Sequence, residues 1–186
     1  MVAKTKNSGE SEFRKGLQGI CKVHFAFVLL LVGQIILYDT SHLIPPETVL
    51  DRWVLTAMLL AVTGAIWYFA KSHSGNLLYY KSFLATLILT DIGLASFMVY
   101  STRGMASRAV FLYILPIVIA GLVLSRAALF ATAILCIAAY SLTAIAYFTW
   151  NFNEGYKVEL YGEVGFYSAM FLIVAGLLTT ILHHRK

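Results

Sequence analysis

The sequence predicts an all-α polytopic membrane protein, a bundle of six transmembrane helices with both ends inside, and three observations carry that prediction. Hydrophobic residues make up 60% of the chain and charged residues 12%, against about 45–50% and about 25% in an ordinary soluble domain. The mean hydropathy is +0.79. The apolar residues gather into six runs, most of them near the ~20 residues a helix needs to cross a bilayer, with the charges in short segments between them. At 186 residues these runs consume most of one domain.

A basic leader, residues 1–18, carries Lys4, Lys6, Arg14 and Lys15 ahead of the first span, 19–38. The pair is not read as a signal peptide: the run is long for such a segment, and Asp39-Thr40-Ser41-His42 is not a small-x-small cleavage site. Lys22 stands close enough to the end of the span to snorkel to the headgroups, and Phe13, Leu17 and Ile20 form an amphipathic lead-in. A loop with Pro45, Pro46, Glu47 and Asp51 leads to the second span, 53–70, where Trp53, Trp67 and Tyr68 are interface anchors. The connection Lys71–Lys81 delivers the third span, 82–100, with Asp91 near its centre. The loop Ser101–Arg108 turns into the fourth span, 109–124, with Pro116 in mid-helix. A tight Ser125-Arg126 turn sets the fifth span, 127–150, antiparallel to the fourth. An acidic loop precedes the sixth span, 164–182, and residues 183–186 form a basic end.

Lys and Arg set the orientation. Lys4, Lys6, Arg14, Lys15, Lys22, Lys71, Lys81, Arg126, Arg185 and Lys186 fall on one side, leaving only Arg52, Arg103, Arg108 and Lys157 on the other. The richer side is expected to be cytoplasmic, giving N-in and C-in in an inner (plasma) membrane. The net charge of +5 is thus read as topology and not as a nucleic-acid footprint. The lipid bilayer is the first expected partner.

Asp91 is the leading functional candidate, because a carboxylate at mid-bilayer costs about 2.5–3.5 kcal/mol on insertion scales and must face the bundle interior or water. Thr63, Ser141 and Thr143 lie at a depth suited to a hydrogen bond with it. Pro116 lacks a backbone donor and presses on the Leu112 carbonyl, so the fourth helix is expected to bend there. The Arg103–Arg108 loop pairs Gly104 with two cations, which can hold an anionic group or pair with Glu154, Glu159 and Glu163. Cys21 and Cys136 lie at different depths and read as small buried hydrophobes. No metal-ligand spacing, P-loop, HExxH or nucleophile elbow occurs, so neither a cofactor nor catalysis is expected of this chain. Ala127 with Ala131, and Gly165 with Ala169, read as close-packing faces; a homodimer is a weaker inference from them. No coiled-coil heptad stands out.

From Asp91 onward the chain resembles the six-span input domain of bacterial sensor histidine kinases that regulate type IV pili. The stretch that carries the likeness runs Asp91-Ile92-Gly93-Leu94, Val99-Tyr100-Ser101-Thr102-Arg103-Gly104, Ser107, and Leu112-Tyr113-Ile114-Leu115-Pro116-Ile117. In that family a mid-helix Asp leads to an aliphatic-Tyr-x-Thr-Gly-Gly turn, a Ser, and a Leu-Tyr-x-Leu-Pro-Ile helix; Arg103 replaces the first glycine. The resemblance implies a non-catalytic sensor of a two-component system. It would relay a stimulus through the sixth helix to a cytoplasmic kinase module in cis, with Asp91, Arg103, Gly104, Ser107, Tyr113 and Pro116 as signal or ligand residues. The competing reading is a solute-capture subunit of the vitamin-transporter type, acting with an energising transporter partner; discontinuous helices would favour it.

Overall fold

The structure, a computed structural model, describes residues 2–40, 46–72, 77–102, 104–151 and 157–183. Its elements are α1 (Val2–Thr40), α2 (Pro46–Ser72), α3 (Leu77–Ser101), two 3-10 helices (Gly104–Ala106 and Arg108–Tyr113), α4 (Ile114–Val123), α5 (Arg126–Asn151) and α6 (Lys157–His183). The described residues are helical almost throughout, as an apolar solvent requires when every backbone donor and acceptor must be satisfied within the chain. Five helices, α1, α2, α3, α5 and α6, are long and apolar enough to cross a membrane.

The leader is not a separate segment. It winds into α1, whose 39 residues extend about 58 Å at 1.5 Å per residue, well beyond the ~30 Å hydrocarbon core. Leu17 and Ile20 of the expected lead-in are buried.

The fourth span departs from a single α-helix. Arg108–Tyr113 is wound as 3-10 and only Ile114–Val123 as α, so Pro116 lies in the first turn of α4 and not in mid-helix. A proline there displaces little, since the first-turn N–H groups lack intrahelical partners. The winding also matters for reach: six residues at ~2.0 Å and ten at ~1.5 Å span about 27 Å, so this short segment comes close to crossing the core.

The chain divides into two compact units, residues 1–87 and 88–186. In the first, α1 and α2 pack as an antiparallel pair: Gln18 Nε2 donates to the Ala70 carbonyl at 2.9 Å, and Phe25 meets Trp67 edge to face at 6.1 Å. Besides Ile20 of α1 and Val49 of α2, the buried positions of α1 run Leu17, Cys21, His24, Val28, Leu31, Ile35, and those of α2 run Arg52, Thr56, Leu59, Thr63, Ile66, Ala70. Both follow the alternating three-and-four spacing of left-handed helix packing. That heptad escapes a hydropathy reading because half of the α2 stripe is polar.

In the second unit α4, α5 and α6 pack together. Gly121 lets α4 approach α6 closely, since a Cβ there would lie 3.2 Å from Leu178 Cδ1. The small-residue faces expected from Ala127 with Ala131 and Gly165 with Ala169 are exposed among the described residues, while Ala133, Ala144 and Ala175 are buried. Half of the most apolar window of α3 is buried, against 11% of that of α6; most of that window of α6 is left uncovered by the described residues.

Candidate functional site: the Tyr113 junction

Tyr113 closes the longer 3-10 helix and caps α4. Six residues of 3-10 winding is long for a form with poor hydrogen-bond geometry, and such stretches often mark hinges. Local chemistry explains both ends. At the start, Ser107 is the N-cap, its Oγ accepting from the Ala109 N–H at 3.1 Å. At the finish, Pro116 has no N–H to donate three residues back to the Tyr113 carbonyl, so the 3-10 ladder cannot continue. Cys136 of α5 donates its thiol to that carbonyl instead, at 3.6 Å.

The Tyr113 side chain is fully buried. Its hydroxyl lies 2.8 Å from Ser96 Oγ on α3. Ser96 spends its own proton on the Ile92 carbonyl at 2.8 Å, so Tyr113 is the donor in that pair. Thr143 of α5 commits its hydroxyl proton to the Ala139 carbonyl at 2.7 Å. The ring packs on Tyr140 at 6.0 Å and on Phe171 of α6 at 5.7 Å. Through these contacts Tyr113 touches α3, α5 and α6 at the point where the winding of its own segment changes.

Asp91 is 3% exposed, satisfying the requirement that an intramembrane carboxylate face the interior. It stands within electrostatic reach of Cys136, the residue that holds the Tyr113 carbonyl. The sequence reading of Cys136 as a buried hydrophobe is right about its depth and omits this role. Thr143 donates to the Ala139 carbonyl of its own helix, and the Thr63 hydroxyl has no hydrogen-bond partner among the described residues.

A second polar link stands at the turn after α3. Ser107 and Thr102 share a hydroxyl hydrogen bond, and Thr102 donates onward to the Met98 carbonyl. Gly104 adopts φ +59°, the left-handed region that side chains avoid. A Cβ there would stand 2.2 Å from Tyr147 Cδ1, and Tyr147 is in turn set edge to face against Tyr100 at 5.9 Å. Of the glycine pair expected at this turn, the one retained has a backbone conformation that requires glycine. Arg103, Glu154 and the histidines His42 and His73 lie outside the described residues. Arg108 is exposed and forms no ion pair among the described residues.

The structure thus joins Tyr113 to Ser96, Cys136 and Tyr140, with Asp91 within electrostatic reach of Cys136, and joins Gly104 to Ser107 at the turn. The sequence reading does not single out Ser96 or Tyr140, and it takes Cys136 and Thr143 in other roles. Their signal was present as polar side chains at helical spacing on one face of α5, at 136, 140 and 143. Among the described residues no group of His, Cys, Asp or Glu is placed to hold a metal ion. What the cluster around Tyr113 can do chemically is exchange hydrogen bonds.

No curated protein and no solved structure matches the chain. A family model described as the PilS-like transmembrane domain matches residues 7–185, nearly the whole length. With six apolar segments and the Asp91–Pro116 motif in view, this multi-pass membrane protein belongs to the PilS-like transmembrane domain family, a six-span membrane sensor domain of PilS-type kinases.

Proposed function

We propose that this chain is the signal-sensing input domain of a two-component histidine kinase in the cytoplasmic membrane, and that the Tyr113 junction is the element the stimulus biases. The N-in, C-in orientation argued from the Lys and Arg count puts the end of α6 on the cytoplasmic side. There α6 would act as the output rod to a kinase module in cis, in the dimer that such relays use. The observation that carries the reading is that the Tyr113 hydroxyl is bonded to Ser96 on α3 while its carbonyl is bonded to Cys136 on α5, where the winding of its own segment changes. Two arrangements of similar energy are what a switch needs, and a stimulus shifts their populations by favouring one.

Asp91 tunes this element through Cys136. A change in its charge or hydrogen bonding alters how firmly the thiol holds the Tyr113 carbonyl, and with it where 3-10 winding gives way to α. The chain itself supplies no catalytic group in this scheme. The broken fourth span is the one feature shared with the solute-capture reading, and the same experiment separates the two.

The test is to follow the parent reading frame past the Lys186 codon and to replace Asp91 by Asn in the protein it encodes. The expected result is a phosphoacceptor helix and an ATP-binding domain downstream, with autophosphorylation altered by Asp91→Asn while the helical circular dichroism is unchanged. A stop codon would move the weight to solute capture, and unaltered autophosphorylation would remove Asp91 from the mechanism.

A further inference from the structure

Within residues 1–87, one face of α1 is left uncovered by α2 among the described residues. Lys15, Gly19, Lys22, Ala26, Leu29 and Gly33 recur every three to four residues and all are exposed, Leu29 by 71%. Their backbone positions lie on the side of α1 away from its buried stripe, and the Lys22 side chain reaches round toward α2. The face is sharply divided along its length: cations occupy only its N-terminal part, and from Val23 to Gly33 it carries no charge. Half of the ~30 Å hydrocarbon core is about 15 Å, or about ten helical residues, which is the length of this apolar stretch. Side chains on a helix tilt toward its N-terminus, so Lys22 leans away from the apolar stretch and toward Lys15, across a position where Gly19 offers no side chain and nothing fills the space. Lys22 is also held in place, its Nζ 5.9 Å from the centre of the Trp67 ring. Glu12 stands three residues before Lys15 on the same face, yet no ion pair joins them among the described residues.

We propose that this face of α1 is a binding site for one anionic phospholipid, its phosphate held between Lys15 and Lys22 over Gly19 and an acyl chain laid along Ala26 and Leu29. Charge complementarity selects the lipid: a zwitterionic headgroup brings its own cation to two lysines, whereas an anionic one does not. Trp67 contributes a ring at headgroup depth with an indole N–H that can donate to the phosphate. The site is independent of the signalling reading, since it uses neither Asp91 nor the Tyr113 junction.

The full chain, reconstituted in vesicles containing equal parts phosphatidylglycerol and phosphatidylcholine, is transferred to native mass spectrometry and its retained lipid identified. Phosphatidylglycerol is expected to dominate. Each lysine near an anionic surface is worth about a fivefold change in binding, so Lys15→Gln with Lys22→Gln should cut the retained phosphatidylglycerol by roughly 25-fold, and Lys22→Arg should restore it in the Lys22 single variant. Equal retention by the double variant, with helicity intact, would overturn the proposal. So would equal retention of phosphatidylcholine, which would make the stripe a nonspecific apolar surface. Displacement of the lipid by inorganic phosphate at matched concentration would assign the lysines to a free anion. A Leu29→Cys variant that cross-links to a second copy while retaining no lipid would assign the face to a dimer.

Discussion

The two units of this protein are built on opposite principles. In residues 1–87 the α1–α2 pair repeats one seven-residue pattern along both buried stripes, anchored near one end by Gln18, Phe25, Trp67 and Ala70. In residues 88–186 regularity is broken at one place after another: a left-handed glycine, a long 3-10 helix, a proline at its end and a polar cluster around Tyr113. Repetitive packing is redundant, so losing one contact leaves the rest of the seam in register. A junction where one hydroxyl, one thiol and one carbonyl meet is not redundant. The lesson is that stability and switching are segregated along the chain, and local rules are broken where two states have to be close in energy.

The comparison is most easily broken at Gly104. Gly104→Ala adds the left-handed penalty to a collision with Tyr147, together about 2–4 kcal/mol, read as a lowered thermal midpoint in detergent. Adding Tyr147→Ala should recover the steric part and leave about 1–2 kcal/mol; no recovery would mean that the contact with Tyr147 is not what makes glycine necessary.

Tyr113→Phe should come next, at about 1 kcal/mol for a lost hydrogen bond within a membrane bundle, and it should alter kinase output in the full-length parent. If the stability loss appears with output unchanged, the junction is structural and the contrast between the units fails. In the first unit, Gln18→Leu should cost about 0.6 kcal/mol, the average for such bonds in membrane proteins, and leave output untouched. Urea or thermal unfolding of the variant, paired with the kinase assay, checks both halves.

Tyr140→Phe sharpens the contrast from the other side. Tyr140 is as buried as Tyr113 and packs on it, but its hydroxyl has no hydrogen-bond partner among the described residues. Removing it should therefore cost less than about 0.5 kcal/mol, or stabilise the fold. A loss equal to that of Tyr113→Phe would show that the Tyr140 hydroxyl is satisfied in the membrane.

The six spans were legible because lipid imposes a coarse rule, about 20 apolar residues per crossing, and five of the six obey it as α-helices. The fourth was legible as a span but not in its winding. Hydropathy does not register that Pro116 blocks a 3-10 ladder at Tyr113, nor that Ser107 starts one. Within the motif from Asp91 to Pro116, Asp91 stands within electrostatic reach of Cys136 and the Tyr113 carbonyl accepts from it. Cys136 comes from a different helix, and its meeting with them depends on how α5 is rotated about its axis.

Sequence alone therefore determined solvent, span number and the residues too costly to bury without a purpose, because the free energy of moving a side chain from water to lipid depends on that residue and its near neighbours. Tertiary structure decided which polar groups meet. Hydrogen bonds act over about 3 Å, and bringing Tyr113 within that distance of Ser96 and Cys136 requires the packing of three separate helical segments.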